Sequence, residues 1–216
     1  MGHELTGMQK AGLSKRIHAW AMARLSGRYE RLVEDRKREL LGELQGTVLE
    51  IGPGTGPNLR YYPPGVRWIG VEPNPFMHRY LRARADALSL KLDLRTGTAE
   101  ALPLEDASVD YVVSTLVLCS VGGIEPALRE ILRVLRPGGA FVFLEHVAAP
   151  NGTRLRRVQQ WLRPFWGMFA DGCRPERETW AYIEQAGFSA TNIEHLRVAV
   201  PIVGPHIMGT AAKGNT

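Results

Sequence analysis

Glu50-Ile51-Gly52-Pro53-Gly54-Thr55-Gly56 follows directly on an apolar run that begins at Thr47, and its residue types suit ligand holding. Glycine reaches positive φ at no steric cost and lets backbone approach a ligand closely, so spaced glycines after a buried strand make a tight binding turn. The spacing narrows the ligand. A dinucleotide loop needs a third glycine three residues after the second, and a phosphate loop needs a Lys-Ser/Thr pair after its last glycine. Here the third glycine comes two residues after the second, an acid stands two before the first, and no Lys follows. A second carboxylate, Glu72, ends the next apolar run, Arg67–Val71. A carboxylate at the end of that strand accepts hydrogen bonds from two neighbouring ribose hydroxyls. The pair points to a nucleoside-bearing ligand.

The elements that must position these residues alternate. Strands are expected at Thr47–Ile51, Arg67–Val71, Leu92–Arg95, Val109–Ser114 and Ala140–Glu145, with two late ones at Ala190–Leu196 and His206–Ala212. The interval from Gly52 to Glu72 reads as one βαβ unit. A helix is expected over Pro75–Leu88, with Asn74 as N-cap and Pro75 in its first turn. Another spans about Glu125–Leu135 and stops at Arg136-Pro137-Gly138-Gly139, and a third covers Glu176–Ala186. Such alternation implies a parallel, doubly wound sheet. Residues 1–46 read as a helical cap: Ile17, Trp20, Ala21, Met22, Leu25, Tyr29, Leu32 and Val33 recur at helical spacing. One domain over residues 1–216 is expected, since no linker or repeat interrupts the chain.

The glycine loop, Glu72, Ala99-Glu100-Ala101-Leu102-Pro103, Ser108-Val109-Asp110 and Leu135-Arg136-Pro137-Gly138-Gly139 resemble class I S-adenosylmethionine-dependent methyltransferases in order and spacing. The resemblance implies a Rossmann-like α/β fold, a seven-stranded doubly wound sheet, mostly parallel with an antiparallel last strand. It also implies S-adenosyl-L-methionine (SAM) as the cofactor. Glu50, Gly52, Gly54 and Gly56 would surround its methionine part, Glu72 its ribose, and Asn74 and Met77 its adenine. Many relatives carry an Asp where Thr98 stands, so adenine contacts are expected from Thr98, Ala99 and Glu100 together. Thr115 and Leu116 would line the methyl-bearing end. A narrower resemblance, through Thr115–Val121, Phe143–Val147, Asp171-Gly172-Cys173 and Pro205–Gly209, is to the membrane-associated thiol S-methyltransferases of the methyltransferase-like group in animals. It favours a thiol among small, apolar acceptors. A phospholipid amine, a quinone carbon or a chalcogen oxyanion is the alternative, and a non-catalytic membrane- or partner-binding relative is a further one.

On the acceptor side, His146 ends strand five, at the edge where open α/β sheets bind ligands. It reads either as the catalytic base or orienter, or as a structural histidine bonded to backbone. Asp171 reads as a supporting acid or base, or as half of an Asp-Gly turn. Cys173 reads as packing. Trp161, Phe165, Trp166 and Phe169 form an apolar stripe, read as core or as the wall of an acceptor pocket. Transfer from a sulfonium needs no metal, and no Cys/His group has zinc spacing, so none is expected.

Composition bounds the rest. The chain has 216 residues, 44% of them hydrophobic and 23% charged, as expected of a globular protein. Two cysteines build no disulfide framework, and a reducing, cytoplasmic setting is expected. The net charge of +5 is spread out, with no aromatic-basic recognition motif, which argues against nucleic acid. The basic, apolar-striped N-terminal segment suits weak peripheral contact with an anionic membrane.

Overall fold

The computed structural model describes residues 2–169 and 172–215, with side chains from residue 12 onward except at 168 and 169. Asp171 therefore lies outside the described residues. The seven strands are β1 (Thr47–Ile51), β2 (Arg67–Val71), β3 (Asp93–Arg95), β4 (Val109–Thr115), β5 (Leu135–His146), β6 (Ala190–Arg197) and β7 (Pro205–Ala212). They lie in the order β3-β2-β1-β4-β5-β7-β6. The first five pair in parallel, and β7 runs antiparallel between β5 and β6. The helices are α1 (Gly2–Leu25), α2 (Gly27–Leu41), α3 (Pro75–Ala87), α4 (Ile124–Val134), α5 (Arg154–Phe169) and α6 (Thr179–Gln185).

Parallel strands covered on both faces read as continuous apolar runs, and their period of two divides the side chains between two cores. Leu49, Ile51, Val112, Phe141 and Phe143 point into one core, with Leu128 and Ile131 of α4. Val48, Val113 and Val142 point the other way, against Leu41 at the end of α2. Leu144 and Met208 continue that second layer onto Val33. Strand order reverses between β1 and β4, so the carboxyl ends of these two strands open the crevice where such sheets bind ligands. At the opposite end, Asp110 accepts from the Thr47 N–H at 2.7 Å and from Arg136 at 2.6 Å, locking the starts of β1, β4 and β5 together.

Two local expectations need correction. The crossover from β1 to β2 carries a single 3-10 turn at Leu59–Tyr61 in place of a full helix. Pro57 before it and Pro63-Pro64 after it lack the amide hydrogens a longer helix would use. Strand β5 begins at Leu135 with no intervening turn: Leu135 pairs with Val109, the ladder bulges, and pairing resumes between Tyr111 and Ala140. Gly138, at φ 75°, provides that bulge. At the N-terminus, Ala19 and Val33 are buried, but Leu13, Ile17, Trp20 and Leu25 face solvent. The apolar stripe of α1 is thus largely turned outward.

His206 on β7 shows how the second layer closes. Its Nδ1–H donates to the Gly204 carbonyl at 3.0 Å, which leaves Nε2 to accept from the Tyr29 hydroxyl of α2 at 3.1 Å. Burial pushes its pKa down to about 4, so the ring is neutral near pH 7.

Gly209 of β7 lies opposite Phe143 on β5 and Ile193 on β6. A Cβ there would stand 1.9 Å from the Asn192 carbonyl oxygen, which is backbone and has little room to move. Overpacking of this kind costs about 1–3 kcal/mol. Gly209→Ala is expected to lower the melting temperature by roughly 2–4 °C per kcal/mol, read by thermal denaturation. An unchanged melt would show that β6 separates readily from β7.

Candidate active site

The glycine loop leaves β1 as the sequence requires. Gly52, Gly54 and Gly56 have φ of 56°, 56° and 78°, all in the left-handed region that disfavours side chains. Their surroundings differ. A Cβ on Gly52 would meet Val117 at 2.7 Å, and one on Gly56 would meet Leu81 at 2.5 Å, so these two are packed from outside the loop. A Cβ on Gly54 would meet nothing within 4 Å. Gly54 is therefore the glycine that faces open space.

Glu50 and Glu72 brace that loop from two sides. Glu50 is buried, and both its oxygens are engaged: Oε1 accepts from Asn58 at 2.7 Å, and Oε2 from Tyr62 at 2.9 Å and Trp68 at 3.0 Å. Burial raises its pKa, and the three donors oppose that rise. Glu50 acts from beneath the loop, as a positioning residue. The Asn58 amide also donates to Thr115 Oγ1 at 2.8 Å, tying the loop to the end of β4. Glu72 accepts from the Gly54 N–H at 2.9 Å and from the Asn74 N–H at 2.8 Å. A buried carboxylate thus stands beside the open glycine.

The remaining sequence-predicted positions ring this crevice. Asn74 caps α3 by accepting from the Phe76 N–H at 3.1 Å, and its amide donates to the Lys15 carbonyl of α1 at 3.1 Å. Met77 is buried in the first turn of α3. Thr98 is exposed and Ala99 buried, while Glu100 turns toward the next loop and accepts from the N–H groups of Gly122 at 2.8 Å and Gly123 at 3.3 Å. Burial works against ionisation of Glu100, but its own N–H, these two donors and the Thr98 hydroxyl outweigh it and its pKa is lowered. Leu116 is held at φ 59°, a conformation uncommon outside glycine, with its N–H on the Leu144 carbonyl at 3.0 Å.

His146 is the last residue of β5 and is buried. Its Nε2 lies 3.0 Å from Cys173 Sγ, and its buried Nδ1 has no hydrogen-bond partner among the described residues. The sulfur of Cys119 joins the pair, all three ligand-type atoms lying within 4.8 Å of one another. Sequence reasoning missed this grouping, because Cys119 follows β4, His146 ends β5 and Cys173 follows α5. It also missed Glu145, fully buried beside His146, which accepts from Ser114 and from the Val117 N–H at 3.1 Å. An acid inside the apolar run Phe141–Val147 was the available signal. Half of the aromatic stripe of α5 is turned outward: Trp161 is 71% and Phe165 56% exposed, whereas Trp166 is half-buried and the side chain of Phe169 lies outside the described residues.

Residues 49–143 match the family model described as "Methyltransferase domain". The human thiol S-methyltransferases TMT1A and TMT1B are 39% and 40% identical to this chain, each match covering 93% of it and 88% of the human protein. The chain belongs to the class I SAM-dependent methyltransferases. A solved SAM-dependent methyltransferase from Thermotoga maritima shares the fold at TM-score 0.62, with 24% identity over 89% of this chain and 97% of that one. This methyltransferase keeps the strand order and the left-handed glycine loop that such a fold needs at its cofactor crevice. The buried Glu72 carboxylate and the open face of Gly54 fit a ribose-bearing ligand there.

The two kinds of glycine separate ligand binding from folding. S-adenosylhomocysteine at 100 times its dissociation constant adds about 2.7 kcal/mol of stability, a rise of several degrees in melting temperature. Gly54→Ala is expected to abolish most of that rise while costing the free protein about 1–2 kcal/mol for its left-handed backbone. Gly56→Ala, which also strikes Leu81, should lower the free protein's melt further. Equal ligand-induced shifts in Gly54→Ala and wild type would remove the loop from the cofactor site.

Proposed function

We propose that this enzyme transfers the methyl group of SAM to the sulfur of a small, apolar thiol. The observation that carries the reading is the near full-length similarity to two human proteins named thiol S-methyltransferase. The residues at the acceptor edge are compatible with it. Glu72 would hold the ribose hydroxyls, Gly52, Gly54 and Gly56 the methionine part, and Asn74 and Met77 the adenine, with backbone at Thr98, Ala99 and Glu100. Bound there, SAM supplies an electrophilic sulfonium methyl. The chain must then fix donor and acceptor in line, which is worth roughly 7–11 kcal/mol in favourable cases. Thr115 and Leu116, held by Asn58 and Leu144, would form the rigid wall at that end.

The acceptor must lose its proton. A free thiol has a pKa of about 8.5, so only a few per cent is thiolate near pH 7. His146 is the described residue suited to favour the thiolate, since it is fixed at the end of β5 and one ring nitrogen has no partner among the described residues. Asp171, next to the Gly172-Cys173 pair in sequence, is the second candidate.

Peripheral membrane contact is part of the same reading. No helix among the described residues is long and apolar enough to cross a membrane. Two helices nevertheless present large apolar side chains to solvent, Leu13, Ile17, Trp20 and Leu25 on α1 and Val158, Trp161 and Phe165 on α5. Arg16, Arg24, Arg157 and Arg163 lie on the same helices. An apolar acceptor dissolved in lipid would meet the enzyme at such a surface.

Two measurements check these points. In an acceptor screen read by S-adenosylhomocysteine release, apolar thiols are expected to turn over, and amino-phospholipids and quinols are not. His146→Ala should slow thiol methylation at least tenfold at pH 6.5 and recover toward wild type near pH 9, where the acceptor ionises unaided. Methylation of phosphatidylethanolamine with no thiol turnover would refute the acceptor assignment. In sedimentation with vesicles, binding is expected to phosphatidylserine-containing membranes and to fade as salt rises. Salt-independent binding, equal on neutral vesicles, would remove the electrostatic contribution.

A further inference from the structure

Cys119, His146 and Cys173 come from three separate segments, and each segment is fixed independently. The Arg174 N–H donates to the Cys119 carbonyl at 2.9 Å, joining the Cys173 segment to the loop after β4. The buried Arg177 guanidinium donates to the carbonyls of Leu118 and Val121, clamping the same loop. His146 is held by β5, paired to His206 of β7. The result is two sulfurs and an imidazole nitrogen brought together in the buried interior. Packing alone does not call for such a set, since buried polar groups cost free energy unless each finds a partner.

We propose that these three residues bind one Zn2+ ion, and that its fourth position takes the sulfur of the acceptor; the second half of this rests on the thiol reading above. Two thiolates and one imidazole are a ligand set for zinc with an open position. Tetrahedral Zn2+, with bonds of about 2.3 Å to sulfur and 2.0–2.1 Å to nitrogen, sets neighbouring ligand atoms roughly 3.5–3.8 Å apart. The observed spread of 4.8 Å or less brackets that spacing, and the 3.0 Å contact between His146 and Cys173 need open only slightly. The site also lies at the correct edge of the sheet: Val117, two residues before Cys119, packs against Gly52 of the cofactor loop.

The chemistry balances. The acceptor S–H bond gives way to a zinc–sulfur bond, and the proton leaves to solvent. Two cysteine thiolates cancel the charge of the ion, so the bound acceptor brings one negative charge to face a sulfonium. Its lone pair then forms the new S–CH3 bond. The old C–S+ bond breaks with its electron pair returning to the donor sulfur, and the neutral thioether, a weak ligand, leaves the metal.

Cobalt(II) titration of the full-length, reduced, metal-free protein tests the site apart from catalysis. One Co2+ per chain is expected, with thiolate-to-cobalt charge-transfer absorption and tetrahedral d–d bands. Cys119→Ser and Cys173→Ser should each weaken the charge-transfer band and lower Co2+ affinity about tenfold or more, while the melting shift given by S-adenosylhomocysteine stays near wild type. Adding an apolar thiol in the presence of S-adenosylhomocysteine should strengthen the charge-transfer band. Absence of these bands in wild-type protein that still binds S-adenosylhomocysteine would overturn the metal site, as would bands that survive in both cysteine variants. Intact bands that no thiol perturbs would overturn the acceptor's place on the metal. Thiol turnover at the full wild-type rate by metal-free protein would overturn it equally, and would leave the thiol reading standing.

Discussion

Glu50 sits at the end of β1 with no solvent around it, and three donors from three places converge on its carboxylate. Asn58 comes from the loop that carries the glycines, Tyr62 from just beyond the 3-10 turn and Trp68 from β2. A charge buried this deeply is tolerable only when its hydrogen bonds are complete, so the position of each donor is fixed by the others. The same Asn58 amide reaches Thr115, and so the end of β4 inherits the geometry of the end of β1. The crevice between these strands is therefore defined by an electrostatic knot beneath it, with Glu72 and Gly54 as its accessible face.

Much of this was legible in the order of residues because it follows from local rules. Apolar runs of five residues gave strands at Thr47–Ile51 and Arg67–Val71, and Asn74-Pro75 gave the start of α3. The left-handed glycines were predictable from the steric demand of a sharp turn. Errors arose where the deciding partner is distant. The stripe on α5 has the periodicity of a buried helix, yet Trp161 and Phe165 face outward, and periodicity alone cannot say whether a neighbour exists. The bulge at Arg136–Gly139 depends on pairing with Val109 and Tyr111, which no local signal encodes.

The acceptor side was the least legible, for a topological reason. Residues at the carboxyl ends of parallel strands are neighbours in space but are separated in sequence by whole βα units. Cys119, His146 and Cys173 illustrate this: His146 stands out at the end of its strand, but the two cysteines look unremarkable in their own segments, and the grouping exists only once β4 and β5 are paired and Arg177 has secured the loop after β4. Glu145, by contrast, carried a local signal, an acid within an apolar run, and was missed all the same.

The Asn74 side chain divides its hydrogen bonds between two helices, accepting from the first turn of α3 and donating to the backbone of α1 at Lys15. Its own N–H is spent on Glu72. One residue thus connects the Glu72 carboxylate to the N-terminal helix. Coupling of this sort is reciprocal: whatever free energy the docking of α1 lends to the cofactor, occupancy by the cofactor returns to the docking of α1. The N-terminal helix would then report whether the nucleoside site is filled, and a surface that competes for the helix would also set how long the spent nucleoside stays bound.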